Sequence, residues 1–96
     1  KNKTTFCYCI SEYPADMNKI DWKIAIKFDG FSDHALGIIA PIIFAVLKKQ
    51  QKSKNILIKK HVKLNNSSGS DAGSSIDTEE LSELVKVIRQ IERLRI

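Results

Sequence analysis

Apolar and polar positions follow one order three times along the chain: a short run of β-favouring residues, then a stretch with helical spacing. The run TTFCYCI at residues 4–10 is rich in aromatic and β-favouring residues and predicts a first strand. SEYPADMN follows as a loop, with Pro14 as its breaker. From Met17 the apolar positions Met17, Ile20, Ile24 and Phe28 recur at helical spacing, predicting a helix with one buried stripe that ends at Gly30. GFS at 30–32 predicts a short second strand running into a loop at Asp33 and His34. Residues 38–47 are apolar nearly all round, which predicts a helix covered on most sides, with Pro41 in its first turn where the missing N–H does no harm. NILIKKHVKL at 55–64 predicts a third strand, and NNSSGSDAGSS at 65–75 is a polar loop without periodicity. Asp77 followed by Glu80 has capping-box spacing, and Leu81, Leu84, Val85, Ile88, Ile91 and Leu94 make one stripe of a closing helix.

Strand and helix in strict alternation predict an α/β fold of right-handed crossover units on a parallel sheet. Three units cannot close a barrel, and a parallel sheet needs both faces covered. The pattern therefore calls for further strands or a second copy. Open strand edges and the all-round apolar helix predict self-association into a dimer or higher oligomer.

Composition narrows the picture only a little. Hydrophobic residues at 43% and charged residues at 28% are ordinary globular values, so neither wholesale disorder nor a fibrous chain is indicated. The longest apolar run, 35–47, falls short of the ~20 residues that cross a bilayer, and no signal peptide is visible, so the expectation is a cytoplasmic protein without a membrane partner. The net charge of +5 owes much to KKQQKSK at 48–54. Lysines at a helix end suit the helix dipole and solubility, and no Arg-rich cluster or interleaved aromatics accompany them, so nucleic acid is not expected as a partner. Cys7 and Cys9 lie two apart in an extended run, poor geometry for a mutual bridge. They read as reduced thiols in a strand, with a Cys-x-Cys metal site as the alternative.

In crossover units functional residues gather at the carboxyl ends of strands. Ser11 and Tyr13 follow the first strand, Ser32, Asp33 and His34 the second, and His61 lies near the end of the third, so all six are expected at one rim. Histidines on neighbouring strand ends can share a divalent metal, or each can be hydrogen-bonded separately. Ser32, Asp33 and His34 are no catalytic triad, because contiguous residues cannot converge on one another.

The order of YCISEYP, GFSDHALGIIAPIIFAV, ILIKKHVKL, GSDAGSSI and EELSELVKVIRQIE resembles the last three strand-helix units of the sialic acid (N-acetylneuraminate) synthase family. That family has a Cys-containing strand ending in Tyr-Pro, a Gly-x-Ser-Asp-His-Thr-x-Gly turn, an Ile-Glu-Lys-His-Phe-Thr-Leu strand, a Gly-Pro-Asp-His loop and a closing Glu-Leu helix. The resemblance implies that residues 1–96 form a single segment of a partial (β/α)8 (TIM-type) barrel, its last three strand-helix units with parallel strands. It implies as parent a metal-dependent transferase that condenses phosphoenolpyruvate with N-acetylmannosamine or a related sugar, giving a sialic acid and phosphate.

In such an enzyme a divalent metal, usually manganese, is held by histidines that match His34 and His61, and it polarises the sugar aldehyde and holds a water. The methylene of phosphoenolpyruvate attacks that carbonyl, water adds to the resulting cation, and phosphate leaves by C–O cleavage. By position, Ser32 and Tyr13 match residues that hold phosphoenolpyruvate, Ser11 shares that task, and Asp71 matches the acid that contacts the sugar.

The match breaks at several places. Lys59 stands where the family has Glu, on the face expected to carry His61. An ammonium ~6 Å from a divalent ion costs about 5 kcal/mol at an effective dielectric of 20, before salt and rearrangement reduce it. Ala72 replaces the loop histidine, Ser70 the proline, and Tyr8 the usual His before Cys9. The family's first five strands and its C-terminal antifreeze-like domain have no counterpart in these residues, so the chain is expected to be inactive alone. Two readings stand side by side: a segment of a synthase, and a non-catalytic barrel remnant that serves assembly or binding.

Overall fold

The structure, a computed structural model, describes residues 4–10, 15–53, 55–62 and 76–96. Its strands are β1 (Cys7–Tyr8), β2 (Gly30–Asp33) and β3 (Leu57–Lys60), and its α-helices are α1 (Trp22–Ala25), α2 (Ile39–Gln50) and α3 (Thr78–Glu92). The strands form one parallel sheet in the order β1-β2-β3. This is an α/β arrangement of consecutive crossover units, consistent with part of a TIM-type barrel.

Side-chain alternation divides the sheet. Phe31, Asp33, Ile58 and Lys60 point to the helix layer, where Phe31 stacks on Phe44 of α2 at 5.2 Å and on Trp22 at 5.7 Å. Tyr8 adds a near-parallel ring on Phe31 at 6.3 Å. Phe31 and Phe44 are buried, and Ile20, Ala25, Ala35 and Ala40 complete the cluster. The opposite face carries Ser32, Leu57 and Lys59, and Leu57 and Lys59 are exposed there. Between β1 and β2 there is little space beside Gly30. A Cβ on Gly30 would lie 2.5 Å from Cys7 Sγ and 3.3 Å from the Phe6 carbonyl, so only glycine fits without displacement.

The expected helix from Met17 to Phe28 is broken in two. A 3-10 turn at Met17–Lys19 is capped by Asp16, and α1 is capped by Asp21, whose carboxylate accepts from Ile24 N. Asp side chains compete for backbone N–H groups at helix starts, and two of them five residues apart restart the helix rather than continue it. Ile24 is consequently exposed while Ala25 is buried. The helix of residues 38–47 runs longer, to Gln50, and is less thoroughly covered than its composition implies, since Ile39 is exposed. Its last turn holds Lys48, which is buried and donates to the Ile26 carbonyl at 2.9 Å. In the closing helix the capping box is present in both directions: Asp77 accepts from Glu80 N at 2.7 Å, and Glu80 accepts from Asp77 N at 3.2 Å. The first ladder is shorter than its β-favouring run, since of residues 4–10 only Cys7 and Tyr8 pair, and residues 63–64 of the expected third strand lie outside the described residues.

Candidate metal and substrate site

His34 follows β2 directly and His61 follows β3 directly, so parallel pairing of the two strands delivers both residues to one end of the sheet. Their ring centroids are 6.3 Å apart, with planes inclined at 40°. His34 is half-buried. Its Nδ1 lies 2.6 Å from the Ile10 carbonyl, which can only accept, so this nitrogen carries the proton and the lone pair of the neutral ring is on Nε2. The backbone on either side is also held: the His34 carbonyl accepts from Ala15 N at 2.8 Å, and the His61 carbonyl accepts from Ile76 N at 3.0 Å. His61 is exposed.

The two rings stand close to the spacing that a shared metal ion would impose. Two nitrogen–metal bonds of about 2.1 Å, with about 1.1 Å from each nitrogen to its ring centre, hold the centres about 5.2 Å apart at a tetrahedral angle and about 6.4 Å apart when linear, so one ion shared at a tetrahedral angle would draw the rings about 1 Å closer. Among the described residues no third His, Cys, Asp or Glu joins them, and further ligands would be water or substrate oxygens. Ser32 lies two residues before His34 on the face opposite the aromatic core, where it is half-buried. Ser11, Tyr13 and Asp71 lie outside the described residues.

Asp33 departs from the expected rim. Its side chain turns into the helix layer, 1% exposed, and its Oδ2 accepts from Lys60 Nζ at 2.9 Å. This buried pair joins the residue before His34 to the residue before His61. The sequence carried only half a signal for it: alternation puts Asp33 on the strand face of Phe31, while the register that places Lys60 opposite is seen only in the folded sheet. Lys59, by contrast, is exposed. Water and salt therefore reduce its repulsion of a nearby cation well below the partly buried value. A groove of ≈ 430 Å³ between α2 and α3, bordered by Lys48, Lys49, Ile88 and Glu92, contains neither histidine.

A profile of the NeuB family matches residues 1–95. The chain belongs to the NeuB family. It is 36% identical over 91% of its length to an uncharacterized protein of Methanocaldococcus jannaschii, covering 26% of that protein. It is 34% identical over 97% of its length to the N,N'-diacetyllegionaminic acid synthase of Campylobacter jejuni, covering 28% of it. To the pseudaminic acid synthase of the same species it is 32% identical over 91% of its length, covering 26%. The chain thus spans about a quarter of the length of these NeuB-family relatives, two of which are sialic-acid-type synthases. Among the described residues, no helix is long and apolar enough to cross a membrane.

Proposed function

We propose that this chain is the C-terminal part of a sialic-acid-type synthase barrel, contributing the metal-holding rim of an active site completed by further strands. His34 and His61 hold a divalent cation, with manganese as the expected ion. The observation that carries this reading is the His34 ring, oriented by the Ile10 carbonyl so that its ligating nitrogen is defined, beside the His61 ring at 6.3 Å. When bound, the ion supplies Lewis-acid polarisation of a sugar carbonyl and positions a water.

The chain's own residues bind and orient. Ser32, on the inner sheet face two residues before His34, donates its hydroxyl to an oxygen of phosphoenolpyruvate, a task that the family motif also gives to Ser11 and Tyr13. Asp71 accepts from sugar hydroxyls. The sugar is N-acetylmannosamine or a related amino sugar, and the product is a nine-carbon sialic acid with release of phosphate. The exposed inner face at Leu57 and Lys59 and the short edge strand β1 suit cover by the remaining strands of a barrel. Residues 1–96 form one segment of that domain and are inactive alone.

A second reading, a non-catalytic remnant used for assembly or binding, is favoured by Lys59, a cation placed two residues from a metal-holding histidine. Titration with manganese, followed by electron spin resonance, separates the two. Saturable binding at one site, lost in His61→Ala, supports the synthase reading. Absence of saturable binding overturns it and leaves the remnant.

A further inference from the structure

Asp33 and Lys60 are register partners on β2 and β3, and their side chains are 1% and 3% exposed. Their bonds converge on a single residue. Asp33 Oδ1 accepts from Ala35 N at 2.9 Å, and Lys60 Nζ donates to the Ala35 carbonyl as well as to Asp33 Oδ2. Ala35 is itself fully buried and bridged to Ala15. His34 therefore sits between two pinned residues, with its ring held by Ile10. Across the ladder, the same ammonium anchors the residue immediately before His61.

Two buried charges are a costly way to join strands, and well-packed apolar residues of similar volume often do so as stably. What an apolar pair lacks is direction. The carboxylate and ammonium fix the turn at Ala35 and the relative height of the two strand ends, which are the two variables that bring the imidazoles together. We propose that the Asp33–Lys60 pair is a positioning device that aims His34 and His61 at one divalent cation. The inference rests on the reading that these histidines hold a metal, but ring placement can be measured without one.

The test replaces the pair by Asp33→Leu with Lys60→Met, which removes both charges and retains apolar volume. Lys60→Arg serves as the conservative variant. Each protein is measured for thermal melting, for metal-free nuclear Overhauser contacts between the two imidazole rings, and for Mn2+ affinity and the visible spectrum of added Co2+. The expected result is a double variant that melts no lower than the parent, loses the ring contacts and binds Mn2+ 10–100-fold more weakly, as outer-shell substitutions typically do. Lys60→Arg alone, which keeps the charge opposite Asp33, should retain the contacts and the Co2+ spectrum of the parent.

A folded double variant with intact ring contacts and Mn2+ affinity within about twofold of the parent overturns the proposal. If the parent itself binds no metal, the reading of the site fails. The ring contacts then decide the positioning role: loss in the folded double variant supports it, and retention overturns it. Should the apolar pair fail to fold, Asp33→Asn with Lys60→Gln, too short to reach Ala35, is judged by the same criteria.

Discussion

Ser32 and Lys59 are register partners on adjacent parallel strands, side by side on the sheet face opposite the aromatic core. Alternation carries that face on from Lys59 to His61. Any anion held by Ser32 and any cation held by His61 would therefore feel the Lys59 charge. Lys59→Glu should tighten Mn2+ binding by about tenfold, since it reverses an exposed charge about 6 Å from a divalent ion and screening reduces the full Coulomb effect. Parallel titrations of the two proteins at low and high salt check this, and the gain should shrink at high salt. Equal affinities at low salt would count against a metal near His61.

Gly30 has no room for a side chain. Gly30→Ala would drive its Cβ against Cys7 Sγ and the Phe6 carbonyl, at a cost of about 1–3 kcal/mol from forced backbone and side-chain shifts. Combining it with Cys7→Ala should recover part of the loss. Urea unfolding of the single and double variants measures the coupling, and strict additivity would show that the sulfur is not the obstacle.

Phe31 makes ring contacts with Tyr8, Trp22 and Phe44. Phe31→Ala should lower stability by about 3–5 kcal/mol through lost burial and a residual cavity. That is a large share of what a domain of this size possesses. Trp22 is the single tryptophan, so its emission reports the change directly. A variant with parent-like emission and melting temperature would contradict the packing described.

The capping box of α3 offers a smaller and cleaner test. Asp77→Ala removes the acceptor for Glu80 N and should cost about 1 kcal/mol, whereas Asp77→Asn should cost only part of that, because an amide oxygen can still accept. Denaturation midpoints at unchanged slope distinguish the two. An Asn variant as weak as the Ala variant would place the effect on charge rather than on the hydrogen bond.

Much of this molecule was legible along the chain. The succession of β-favouring runs and stretches of helical spacing predicted three strands, their parallel pairing and the closing helix, whose expected stripe is buried at Leu84 and Ile91 but exposed at Val85 and, past the helix end, at Leu94. The Asp77 and Glu80 spacing predicted the cap that forms. The segment at Met17–Phe28 misled because its apolar spacing is genuinely helical, while Asp16 and Asp21 each cap a separate short turn. Periodicity describes what a stretch can bury, and local side-chain bonds to the backbone decide whether the helix continues.

For the candidate site, sequence alone determined the residue types and their attachment to strand ends: His34 after one strand, His61 after the next, Ser32 two residues before His34. It also determined membership of the NeuB family, because ordered local motifs survive in a one-dimensional string. The tertiary structure decided what those residues do to one another. It turned Asp33 away from the rim and into a buried bond with Lys60, left Lys59 in solvent, and set Nδ1 of His34 on the Ile10 carbonyl. Such pairings depend on register between strands more than twenty residues apart, and no local pattern encodes that distance.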